Sequence, residues 1–249
     1  MSLQRELLVL NSTADLSQAA SREFIELARQ SIAARGRFSV ALSGGSTPRG
    51  LFTLLGNEKR SELEWDRICF FWGDERHVPP DDPDSNYGMA NQAMLSSVPI
   101  RRENVFRIHG EEKEASQAAR AYEQTLADFF SLRSGEFPRF DLVLLGMGPD
   151  GHTASLFPDS AALEEKTKLV VANWVAKFNT HRITLTFPVL NSAACVLFLV
   201  AGADKAPALR GVFEDPGSGL PAQRIQPDNG RCRWLVDRLA AGQLHSRAG

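Results

Sequence analysis

Leu142-Val143-Leu144-Leu145-Gly146-Met147-Gly148-Pro149-Asp150-Gly151-His152 is an apolar run that breaks at once into a glycine-rich polar turn. A short, wholly apolar run bounded by turn residues reads as a strand covered on both faces, the situation of a strand inside a parallel sheet. The turn is expected to lead from this strand into a helix, with His152 at the junction.

The same pattern repeats on both sides of this stretch. Leu7–Leu10, Phe38–Leu42, Ile68–Trp72, Leu169–Ala172, Ile183–Phe187, Val196–Val200 and Cys232–Val236 read as strands, and Val105–Ile108 as a further short one. Asp15–Arg35 places Leu16, Ala19, Ala20, Phe24, Leu27 and Ala28 near helical period. Helices are also expected over Tyr87–Ser97, over Glu114–Leu132 and from about Lys205 to Phe213, with a short amphipathic one after Val236. Strands alternating with helices predict an α/β fold with a mostly parallel sheet, helices on both faces, and one domain over residues 1–249.

The 249 residues carry 43% hydrophobic and 23% charged side chains and a formal net charge of −2. That balance supplies no field to gather nucleic acid or an anionic membrane, and no run is long and apolar enough to span a bilayer. Met1-Ser2-Leu3-Gln4-Arg5-Glu6 lacks the basic-then-apolar pattern of a secretory signal, and Met1-Ser2-Leu3 has the look of an expression remnant. Cys69, Cys195 and Cys232 show no metal-ligand spacing. Buried free thiols and a reducing, cytoplasmic compartment are expected.

Four polar clusters follow expected strand ends, where the crevice of an open parallel sheet lies. Ser43-Gly44-Gly45-Ser46-Thr47-Pro48 has two glycines, three hydroxyls and a helix start, which suits a small phosphate ester or an ordinary N-capped turn. It lacks the endings of nucleotide and dinucleotide loops. In Gly73-Asp74-Glu75-Arg76-His77, Arg76 suits an anion and Asp74 an orienting role, although such alternating charge is commonly a solvated loop. In the third cluster His152 stands beside Asp150, which is either a partner or a turn former. An imidazole with a pKa of about 6.5 is mostly neutral at pH 7 and can take a proton. In the fourth, Lys205 of Gly202-Ala203-Asp204-Lys205 either points at a phosphate or sits on the surface. Arg182 precedes a strand, so in a simple layout it lies at the wrong end of that strand. The chain has no Gly-x-Ser-x-Gly elbow for a serine nucleophile and no cluster of histidines and cysteines for a metal.

Taken in order, Ala41–Pro48, Trp72–Pro79, Asp84–Ala90, Phe140–Pro158, Arg182–Thr186 and Ala201–Lys205 resemble the 6-phosphogluconolactonase family over nearly the whole chain. The resemblance implies a modified Rossmann-like three-layer fold, shared with glucosamine-6-phosphate deaminase. It implies hydrolysis of 6-phospho-D-glucono-1,5-lactone in the oxidative pentose phosphate pathway, by water that His152 activates. It also implies a phosphate pocket from Gly44, Gly45, Ser46, Thr47 and Lys205, with Arg182 a further candidate. Arg76 would face the carbonyl or sugar hydroxyls, Asp74 would support them, and Asp150 and His77 are possible supports. No metal, redox cofactor or nucleic acid is implied, and a monomer is expected. Lys177-Phe178-Asn179-Thr180-His181 departs from the proline-bearing stretch of many relatives.

Two rivals share the scaffold. A deaminase or isomerase resemblance demands a glutamate five residues after the motif histidine, where this chain has Phe157, and a tyrosine where it has Arg76. A non-catalytic phosphosugar sensor would have lost His152 and gained a DNA-binding segment.

Overall fold

The computed structural model describes residues 5–245; Met1-Ser2-Leu3 lies outside them, as do the ends of the expected 1–249 domain. Six strands form one parallel sheet in the order β1-β9-β8-β5-β2-β3: β1 (Glu6–Leu10), β2 (Phe38–Leu42), β3 (Ile68–Trp72), β5 (Leu142–Leu145), β8 (Cys195–Val200) and β9 (Arg231–Asp237). Every residue of β2, β3, β5 and β8 is buried. Successive side chains of a strand point to opposite faces, so both faces of the sheet are covered.

The helices are α1 (Thr13–Arg35), α2 (Ser46–Gly56), α3 (Asn86–Ala93), α4 (Ala115–Phe130), α5 (Phe187–Asn191) and α6 (Ala206–Glu214). Sequence sets the limits of α1 at both ends. The Ser12 hydroxyl accepts from the Asp15 N–H at 3.1 Å, and Gly36 closes the helix in the left-handed region at φ 75°. One contiguous core runs from Leu16 of α1 through the central strands to Val236 and also takes in Ile183 and Leu185 of the smaller sheet described next.

That smaller sheet is antiparallel, in the order β4-β7-β6: β4 (Asp74–Arg76), β6 (Val170–Val175) and β7 (Thr180–Leu185). Gly73 joins the two sheets. Its N–H donates to the Leu42 carbonyl at 2.8 Å, and its carbonyl accepts from Leu185 at 2.9 Å. The chain therefore leaves β3 and enters the second sheet without a loop.

Three local expectations need correction. Val105–Ile108 is no strand: Val105 makes a single bridge with Phe70, and Phe106 stacks on Phe71 with ring centroids 4.6 Å apart. This arm is held by aromatic packing rather than by a ladder. No helix follows His152; residues 153–160 form successive turns. After β9 the described residues form a single 3-10 turn, Ala240–Gln243, instead of an amphipathic helix. No helix among the described residues is long and apolar enough to cross a membrane.

Candidate active site

A cavity of about 230 Å³ opens where the chain leaves the carboxyl ends of β2, β3, β5 and β8. Ser43 through Pro48 line one part of it, Gly146 through Pro149 with His152 another, and Asp74, Arg76 and Lys205 complete its polar wall. Segments more than a hundred residues apart in the chain thus meet at one rim, as a parallel sheet requires.

The first wall is the start of α2. Gly45 takes φ 104°, a left-handed value at which a side chain is strained, and no side chain caps the helix that follows. The first-turn N–H groups beside Ser46 and Thr47 are therefore open to an anion, and the helix dipole favours one there. Ser43 is buried and its hydroxyl has no hydrogen-bond partner within the protein.

The second wall carries the imidazole. His152 Nδ1 lies 2.5 Å from Oδ1 of Asp150. A carboxylate only accepts, so this contact assigns the proton to Nδ1 and leaves the lone pair on Nε2. The loop is tight: Gly148 N–H donates to the His152 carbonyl at 2.9 Å, and a Cβ on Gly148 would sit 2.0 Å from His152 Nδ1. The Thr153 hydroxyl donates to the Gly146 carbonyl at 2.8 Å. Phe157 stacks on the imidazole with centroids 4.1 Å apart and planes 23° from parallel. Burial pulls the His152 pKa below its ordinary 6.5, and the contact with Asp150 opposes this only in part. Burial alone would raise the Asp150 carboxyl, but the hydrogen bonds and charge of His152, with Lys177, outweigh it and hold it below the usual range.

The third wall is β4. Asp74 is buried and holds two neighbours in place: its Oδ2 accepts from the Ser155 hydroxyl at 2.6 Å, and its carbonyl accepts from Asn86 Nδ2 at 2.8 Å. Through Ser155 it ties the His152 loop to the second sheet. Asn173 on β6 reinforces that tie by donating to the Ser155 carbonyl at 2.9 Å. Glu75 faces the other way and accepts from the N–H groups of Arg76, Asn86 and Tyr87 at 2.8, 2.7 and 2.8 Å, fixing the loop before α3.

Arg76 donates to the Asp84 carbonyl at 2.5 Å and lines the cavity; its Nε has no partner. Arg182 pairs with Arg76 across β4 and β7. The simple layout had put Arg182 at the wrong end of its strand. Because β7 lies outside the parallel sheet and runs antiparallel to β4, Arg182 stands instead beside Arg76; it is not itself among the residues lining the cavity, and its Nε is unpartnered. Burial, and the charge of Arg76, pull its pKa below the usual arginine value. Lys205 lines the cavity and pairs with the Asp204 carboxylate at 2.8 Å.

His77 is not among the residues lining the cavity; its Nε2 lies 2.6 Å from the Glu112 carbonyl. Ser43 and Asn86 do line it, though sequence alone gave neither a role. For Asn86 the available signal was its place in Asp84-Ser85-Asn86, at the start of α3.

A family model described as glucosamine-6-phosphate isomerases/6-phosphogluconolactonase matches residues 11–234. The chain is 46% identical over 212 residues to a 6-phosphogluconolactonase of Nostoc, covering 84% of this chain and 86% of the relative. It is 44% identical over 217 residues to one from Synechocystis, covering 86% and 88%. Among solved structures, 6-phosphogluconolactonase from Trypanosoma cruzi superposes with a TM-score of 0.87 at 33% identity, covering 99% of each chain.

Proposed function

Since the chain belongs to the glucosamine-6-phosphate isomerase/6-phosphogluconolactonase family, we propose that it hydrolyses 6-phospho-D-glucono-1,5-lactone to 6-phosphogluconate with His152 as the base. The observation that carries this reading is the meeting of a carboxylate-oriented imidazole and an open helix start on one cavity.

A sugar lactone is an activated ester, so water needs only placement and deprotonation to attack it. Nε2 of His152 takes the proton of that water. Asp150 holds the tautomer that makes Nε2 the acceptor and stabilises the imidazolium that forms. A positioned base contributes ~10²–10⁴-fold. Arg76 faces the carbonyl, where its charge favours the tetrahedral oxyanion. The imidazolium then returns its proton to the departing ring oxygen, and the base is regenerated. Asp74 acts through Ser155 and Asn86, which it holds against the loops on either side.

The phosphate is bound by the N–H and hydroxyl groups of Gly44, Gly45, Ser46 and Thr47 together with Lys205, with Arg182 supplying charge from beside Arg76. This remote binding holds the ring against the base. Three buried free thiols suit a cytoplasmic setting.

The test is lactone hydrolysis, corrected for spontaneous ring opening, by the parent and by His152→Ala. The expected result is turnover by the parent that the variant loses. Ammonia release from glucosamine 6-phosphate without lactone turnover would overturn the reading. Against that rival stands Phe157, an apolar ring packed on His152 where a deaminase resemblance demands a carboxylate.

A further inference from the structure

The turn between β6 and β7 reaches back over the acid–base pair. From it, Lys177 Nζ donates to Oδ2 of Asp150 at 3.3 Å, while Oδ1 of the same carboxylate is engaged with His152 Nδ1. Phe178, next in sequence, meets Phe157 edge-on at 5.9 Å, and Phe157 is the ring stacked on His152. Asn179 closes the turn in the left-handed region at φ 49°. The carboxylate that orients the imidazole is thus gripped by a second element of the fold.

Resting on the assignment of His152 as base, we propose that Lys177 is a positioning residue: it fixes Oδ2 of Asp150 and so keeps Oδ1 on Nδ1 of His152. A carboxylate bonded at one oxygen still swings about its last torsion, whereas one held at both oxygens from different elements does not. The side chain of Lys177 is 56% exposed, so its grip is modest and screened by solvent.

Its charge acts in the same place. The groups bearing on His152 are Asp150 of its own loop, Asp74 of β4 and Lys177 of the turn, with Arg76 and Lys205 elsewhere on the cavity wall. Lys177 opposes protonation of the ring; the two aspartates favour it. Removing the lysine removes its positive charge while the charges of both aspartates remain, which favours the imidazolium and moves loss of the base to a higher pH. The freed Asp150 carboxylate shows separately in the ring NMR, as part of the neutral ring's proton moving from Nδ1 to Nε2.

The experiment compares the parent with Lys177→Arg, Lys177→Met and Lys177→Glu, following the His152 ring by NMR titration without substrate and the acid limb of kcat/KM with it. Because Lys177 sits on an exposed turn, all four proteins are expected to fold, and thermal melting checks this. Lys177→Met should raise the ring titration and the limb by about half a pH unit, Lys177→Glu by more, and Lys177→Arg should restore the parent. An unshifted neutral-ring tautomer in Lys177→Met, or coincident ring titrations for all four, would overturn the proposal. The NMR arm reads Lys177 whether or not the lactone is turned over, so its failure is separable from a failure of the hydrolytic reading.

Discussion

Nδ1 of His152 lies 2.5 Å from Oδ1 of Asp150, two residues earlier in the same loop. The spacing is set by Gly148 and Gly151, which fold the loop so that Gly151 N–H reaches the Gly148 carbonyl at 3.0 Å. A dyad built within one tight loop owes its short distance first to that loop, and distant elements add Lys177 on the other carboxylate oxygen. It depends on them for its place at the cavity, through Ser155 and Asp74.

Asp150→Asn offers Nδ1 an amide that can donate as well as accept, so the imidazole is free to carry its proton on Nε2, where it is no base. We expect kcat/KM for the lactone to fall about 10²-fold or more, within the range of a positioned base, with the folded structure retained. Steady-state rates with the spontaneous reaction subtracted check this; an unchanged kcat/KM would remove Asp150 from the mechanism.

The pH profile follows from burial. The neutral ring is the active form, and burial disfavours the charged one, so His152 loses its proton below its ordinary 6.5. Activity is therefore full above that value and falls on the acid side as the pH drops through the lowered pKa. An unperturbed imidazole would put this limb near 6.5; burial of the ring moves it lower. A limb above 7 in the parent enzyme would contradict the geometry, and His152→Ala should show no such limb.

Gly148→Ala tests the loop directly. The new Cβ would lie 2.0 Å from His152 Nδ1, a distance no real contact tolerates, so the ring must move out of line with Asp150. Activity should fall by at least an order of magnitude, since small misplacements of reacting groups cost about 10²-fold. Circular dichroism should match the parent. Full activity in this variant would mean that the ring position is not critical.

Glu75→Gln probes the frame rather than the chemistry. The Glu75 carboxylate is 2% exposed and serves three main-chain N–H groups and the Ser85 hydroxyl. A glutamine presents one oxygen and an amide that faces those donors. Leaving buried donors unserved costs about 1–3 kcal/mol each, so a loss of about 2 kcal/mol is expected. Urea denaturation measures it, and a change under 0.5 kcal/mol would show that the loop before α3 is held by other means.

The parallel sheet was legible because its strands are continuous apolar runs, and β2, β3, β5 and β8 are buried along their whole length. The two walls of the site were legible for the same reason: each follows such a strand. The second sheet was not. Asp74-Glu75-Arg76 has the composition of a solvated loop, and only pairing with Ile183 and its neighbours, more than a hundred residues away, makes it a strand. Hence Arg182 was misplaced in the simple layout, because its position depends on that pairing and not on its local sequence. His77 follows alternating charges and reads like its neighbours, yet beyond the end of β4 its ring goes to Glu112. The missing helix after His152 has a local cause that pattern reading passes over: Ala154 takes a left-handed φ of 48°, and Thr153 pairs back with Leu156.

The phosphate cradle makes the last prediction, because it separates binding from chemistry. Lys205 and the Ser46–Thr47 helix start line the cavity from the ends of β8 and β2, on either side of the loop after β5, and Arg182 pairs with Arg76. If they hold only the phosphate, Lys205→Ala and Arg182→Ala each remove an interaction present in ground and transition states alike. Each should then raise KM about tenfold, equivalent to about 1.4 kcal/mol, and leave kcat within a few-fold. Inorganic phosphate should inhibit competitively and protect the parent against thermal unfolding more than it protects either variant. Glucono-1,5-lactone without its phosphate should lose kcat as well as affinity, since the remote group is what holds the ring against the base. Equal kcat for the two lactones would show that the cradle anchors the substrate without aligning it.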